Sequence, residues 1–180
     1  MTTLYWREPP RRDPRDFETF VEFGRGRRSG RGFMAYSERA GPGVLVLHPA
    51  PSWPDPVLDF ARAVHGDGFT VLVPDAGVDG GDGELERVAA AADYLADNWH
   101  PRLGIVGFGA AAVMACRLAG ARECDALVLY GGSDANRFEG PLLSHKGTGS
   151  FIDSHAEGFG LSEARTAHER TLEFLHYHLS

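Results

Sequence analysis

Cysteine, lysine and long apolar runs are all scarce in this 180-residue sequence, and each scarcity excludes something. The two cysteines, Cys116 and Cys124, form no CxxC pair, so neither a disulfide framework nor a cysteine-based zinc site is expected. Lys146 is the single lysine among 18 basic residues, which 25 acidic ones outnumber to leave a net charge of −7. That balance offers no basic face for nucleic acid. The longest apolar run, Ala110–Cys116, falls far short of the ~20 residues that span a bilayer. Met1–Arg7 has no apolar core of the kind a secretion signal carries. The expectation is a cytoplasmic protein with no membrane contact.

What is present is enough to build a core, since 43% of the residues are hydrophobic. Residues 1–16 form a polar arm of arginines, acids and prolines, and residues 17–180 form one domain. Phe17–Gly24 and Gly32–Ser37 predict two short strands around the turn Arg25-Gly26-Arg27-Arg28. Val44–Leu47, Phe69–Val73, Leu103–Val106 and Ala126–Tyr130 are apolar throughout, as strands buried on both faces are. Pro141–Leu143 is a candidate fifth. Helical spacing predicts helices over Pro56–His65, Glu84–Trp99 (with Asp82 as N-cap), Ala110–Leu118 and Ser162–Leu179 (with Ser162 as N-cap). Apolar strands alternating with amphipathic helices predict a three-layer α/β/α sandwich around a mostly parallel, doubly wound sheet.

Ligands of such a sheet sit at the C-terminal strand ends. Three loops there stand out: His48-Pro49-Ala50-Pro51-Ser52-Trp53, Pro74-Asp75-Ala76-Gly77 and Gly107-Phe108-Gly109-Ala110-Ala111. The last has the spacing of a nucleophile elbow, in which small residues flank a nucleophile squeezed between strand and helix. Gly107 and Ala111 are the small flanks, but the nucleophile position holds Gly109.

Together with Gly41–His48, Gly68–Asp75, Leu103–Gly109 and the ending His168–Leu175, this arrangement resembles the dienelactone hydrolase family of α/β-hydrolases. The resemblance implies the α/β-hydrolase fold, an ester or lactone substrate and no cofactor or metal. It also implies a Cys or Ser at the elbow, an Asp after a later strand and a His before the last helix. Carried over by position, Gly109 leaves the nucleophile position vacant, and His48-Pro49 stands where the family has His-Glu. Asp153 falls a few residues late for the Asp, and His155, in His155-Ala156-Glu157-Gly158-Phe159, matches the family's His-x-Phe ending. The stretch from Tyr130 to His155 is short for the family, so the fold is expected to be truncated there.

A triad needs an oxygen or sulfur within ~3 Å of its base, and glycine offers neither. An oxyanion hole of backbone N–H groups, from Ala110 and Ala50, does not depend on side chains. His48, Pro49 and Trp53 are further candidates for the pocket lining. Ser133 and Ser150 are weighed as displaced nucleophiles, and His145, Asp153 and His155 as metal ligands, without a spacing that supports either. The expectation is a protein that has lost covalent hydrolysis. It binds a small ester-, lactone- or ketone-like molecule or a partner in the old pocket, or performs non-covalent acid–base catalysis there through His155. The alternative is an active hydrolase of a small ester or lactone using an unconventional nucleophile or an activated water. The oligomeric state and the identity of any protein partner stay open.

Overall fold

In the computed structural model, residues 16–39, 41–49, 52–75, 81–131, 138–147, 151, 153, 155 and 157–180 are described. An edge hairpin opens the chain, β1 (Asp16–Phe23) and β2 (Gly30–Ser37) around a short 3₁₀ turn at Gly26–Arg28. There follow β3 (Gly43–Leu47), α1 (Asp55–Gly66), β4 (Thr70–Pro74) and α2 (Asp82–Asn98). The second half adds β5 (Leu103–Phe108), α3 (Ala111–Ala121), β6 (Ala126–Tyr130), β7 (Leu142–His145) and α4 (Leu161–Leu179). The sheet order is β1-β2-β4-β3-β5-β6-β7. Strands β3 to β7 run parallel, and β2 pairs antiparallel with both β1 and β4.

Successive strand residues face opposite sides, and the sequence uses this to make two different cores. Val44, Val46, Val71, Val73, Val106 and Val128 face one side. There they pack under Val57, Phe60 and Val64 of α1 and Leu172, Leu175 and Leu179 of α4. Leu45, Leu47, Leu72, Ile105, Leu127 and Leu129 face the other, under Val88 and Leu95 of α2 and Ala112, Ala115 and Leu118 of α3. Each fully buried side chain of this size contributes roughly 1.5–3 kcal/mol of transfer free energy. The three-layer architecture expected from the strand–helix alternation is therefore present, with β3 the middle strand of the seven and β5 beside it.

Helix α3 packs tightly on β5, because its inner face is alanine and the strand beneath has Gly107. A Cβ there would sit 2.7 Å from the Ala115 Cβ and 2.9 Å from the Ala112 Cα. Between β7 and α4 the described residues form no further strand or helix. No helix among the described residues is long and apolar enough to cross a membrane. The polar arm, except Asp16 in β1, lies outside the described residues.

Candidate functional site

The C-terminal ends of β3 to β7 lie along one edge, with the β5–α3 turn in the middle. Gly109 has φ +53°, the left-handed region where a side chain is costly. Its N–H donates to the Tyr130 carbonyl at 2.8 Å, extending the β5–β6 ladder by one residue. Its own carbonyl accepts from the Ala112 N–H at 3.1 Å. Gly109 and Ala110 are exposed. The space a Gly109 side chain would enter is nearly open, with the Pro49 Cγ the nearest atom at 3.9 Å. The first N–H groups of α3 have no intrahelical acceptor, as at every helix start.

Of the other expected pocket residues, Pro49 is thus beside Gly109, whereas Trp53 is held on the far side of β3. The Trp53 indole N–H donates to the Val73 carbonyl of β4 at 2.8 Å. Its ring tilts against Phe20 of β1, with centroids 4.8 Å apart. Ser52, at φ +68°, donates its N–H to the Asp75 carboxylate at 3.0 Å, tying the loops after β3 and β4 together. His48 is half-buried at the end of β3. Ala50, Ser133 and Ser150 lie outside the described residues.

Before α4, the Asp153 carboxylate accepts the backbone N–H of His155 at 2.9 Å. The two candidates therefore meet through a local turn, and the His155 residue is exposed. Among the described residues, no three His, Cys, Asp or Glu side chains converge as they would around a metal ion. Cys116 is half-buried in α3, and burial pushes the Cys124 thiol up to about 12, far from a reactive thiolate.

The structure adds a cluster at this edge that sequence reasoning passed over. Phe108, Tyr130 and His145 end β5, β6 and β7 in register and face the same side. Their rings form a row, with centroids 4.5 Å apart for Phe108 and Tyr130 and 4.6 Å for Tyr130 and His145. Under the row, Thr171 of α4 lies 2.6 Å from the Tyr130 hydroxyl and 3.0 Å from the His145 Nε2. Burial, seconded by the positive charge of Arg170, pushes the His145 imidazole down to about 4. Burial likewise pushes the Tyr130 phenol up, against the opposing bond to Thr171. The signal in the sequence was a histidine directly after a strand, at the end where ligands bind. Elsewhere, a cleft of about 550 Å³ between the β1–β2 turn and α2 is lined by Arg25, Arg28, Asp93, Tyr94, Asp97 and Asn98. None of these comes from the loops around Gly109.

No family model matches the sequence, and no curated protein matches it as a relative. Solved structures do resemble it. A dienelactone hydrolase from Anabaena variabilis superposes with a TM-score of 0.73 at 16% identity, over 92% of this chain and 100% of that one. A cold-adapted esterase from an Arctic intertidal metagenomic library gives 0.68 at 13% identity, over 97% and 99%. Carboxyl esterase 2 from Tuber melanosporum gives 0.55 at 11% identity, over 66% of this chain and 46% of that one. With the strand order and the three layers, these likenesses show that the chain has the α/β-hydrolase fold, in the form seen in dienelactone hydrolase.

Proposed function

We propose that this protein binds a small ester-, lactone- or ketone-like molecule at the C-terminal sheet edge and performs no covalent hydrolysis there. The observation that carries this reading is Gly109. It stands in the strand-to-helix turn after β5, where hydrolases of this fold expose a nucleophile, and it has the backbone conformation but no side chain. A nucleophile elbow without a nucleophile still offers the N–H groups at the start of α3 to a carbonyl oxygen. Pro49 and the open space above Gly109 leave room for the ligand. The arrangement is that of a pseudoenzyme, with His155 an exposed group on its rim.

The test has two arms. The purified protein is treated with a fluorophosphonate and with iodoacetamide, and p-nitrophenyl acetate turnover is compared with that of His155→Ala. The expected result is no active-site adduct by intact mass and no turnover above that variant. In the second arm, small esters and ketones are titrated into labelled protein, with the amide signals of Gly109, Ala110 and Gly131 expected to move together. A stoichiometric adduct with fast turnover, or shifts confined to the cleft on α2, would overturn the proposal. A second reading, hydrolysis by an activated water, is favoured by the same N–H groups at the start of α3, and predicts ester turnover without any adduct.

A further inference from the structure

The hydrogen bonds beneath β7 set the protonation of a histidine as well as the docking of α4. The Ala167 carbonyl can only accept, and the Tyr130 hydroxyl donates to it at 3.4 Å. With the phenol proton directed there, the 2.6 Å contact between Tyr130 and Thr171 is filled by the Thr171 hydroxyl donating to Tyr130. The Thr171 oxygen is then the acceptor for the Nε2–H of His145 at 3.0 Å. This leaves Nδ1 as a lone pair. Among the described residues the ring's hydrogen bond is the one at Nε2. The residue as a whole is only 8% exposed. Its ring is held between Tyr130 and Phe151, the latter 6.2 Å away, half-buried and packed over Gly147 just beyond the strand.

We propose that His145 is a proton acceptor for a small, planar weak acid, such as a phenol, an enol or a carbon acid beside a carbonyl, seated against Phe151 at the end of β7. The proposal rests on the reading that this sheet edge binds small molecules without a covalent step. The proton of the ligand's O–H or C–H bond moves to Nδ1. The bonding pair stays on the ligand as phenolate or enolate, or displaces a leaving group within it, and Nδ1 later returns the proton to product or water. The surroundings suit an uncharged base. Arg170 of α4 is the charged side chain that acts on it, and β6 presents the uncharged Tyr130. Lys146, next along the chain, is exposed. A base anchored through one nitrogen, with the other open, has its geometry fixed before the ligand arrives.

A planar carbon acid tests this directly. In 5-nitrobenzisoxazole, loss of the ring C–H proton to a base breaks the N–O bond and releases a coloured phenolate, with no other reactant. The full-length protein should accelerate this opening over buffer, and His145→Gln should lower the rate by at least about tenfold. His100→Gln, a half-buried histidine on the α2–β5 loop, should match the parent. The parent rate should fall only as the pH nears about 4. Long-range nitrogen–proton NMR should place the His145 proton on Nε2, a readout independent of any variant's folding. No acceleration by the parent, an equal rate in His145→Gln, or a proton on Nδ1 would overturn the proposal. An adduct with fluorophosphonate or iodoacetamide would refute the non-covalent reading instead, and leave these measurements unaffected.

Discussion

A methyl group added at Gly107 and one added at Gly109 meet different surroundings, though the residues are two apart. At Gly107 it would overlap the Ala115 side chain and the α3 backbone at Ala112, so the helix must lift off the sheet. Gly107→Ala should therefore cost about 3 kcal/mol, at the upper end for overpacking. At Gly109 the space is open and only the left-handed φ opposes a side chain. Gly109→Ala and Gly109→Ser should each cost about 1–2 kcal/mol. Urea denaturation of the variants checks the order, and equal losses would remove the steric account. Gly109→Ser should also gain at most a slow, stoichiometric acylation by p-nitrophenyl acetate, seen as a single burst. At this scale the sequence reading was uneven. Gly109 was legible because a fixed spacing and a strand–helix context surround it. His145 was weighed only as a metal ligand, because its partners, Tyr130 and Thr171, are remote in sequence and meet it through the register of β6, β7 and α4.

The edge hairpin is joined to the body by the β2–β4 ladder, and its outer strand β1 is held by a fork. Arg62 of α1 reaches both carboxylate oxygens of Glu18 in β1, at 2.9 and 3.1 Å. The same guanidinium meets Asp59 at 3.2 Å. The bond to Glu18 raises the Arg62 pKa, and burial raises that of Asp59 against the pull of Arg62. Arg62→Ala should cost about 1 kcal/mol, more than a lone surface pair, because the geometry is bidentate. Amide exchange should quicken along β1 and stay unchanged in β3, β5 and β6, whose protection belongs to the central core. Strands buried on both faces were plain in the sequence, since nothing but a sheet centre wants runs such as Val44–Leu47. Helix starts were less so. Asp82 and Ser162, expected as N-caps, lie inside α2 and α4, with Gly81 and Gly160 at the cap positions. Neither helix start has a side-chain cap bond, and acids in the first turn, Asp82 and Glu84 in α2 and Glu163 in α4, favour the helix dipole instead. Strand β7, expected over Pro141–Leu143, runs over Leu142–His145, with Leu143 and His145 turned inward.

For the molecule as a whole, the buried imidazole makes stability fall on the acid side. A histidine in the unfolded chain titrates near 6.5, and His145 in the native one at about 4. Between those values the unfolded state holds the additional proton, so unfolding becomes easier as the pH drops from about 6.5 to about 4 and no further below. The loss amounts to roughly 3 kcal/mol, at 1.36 kcal/mol per pKa unit. Denaturant midpoints measured across this range should fall more steeply for the parent than for His145→Gln, and parallel curves would show that the imidazole is charged in the native state. The row of rings that crosses the ends of β5, β6 and β7 also makes this edge magnetically conspicuous. His145 lies against the Tyr130 ring at 4.6 Å with a 35° tilt, and Tyr130 is stacked on Phe108. Circulating π electrons should displace the His145 ring-proton resonances well upfield of those of the exposed histidines. They form a label-free reporter that returns to ordinary positions when α4 or β7 lets go of the sheet.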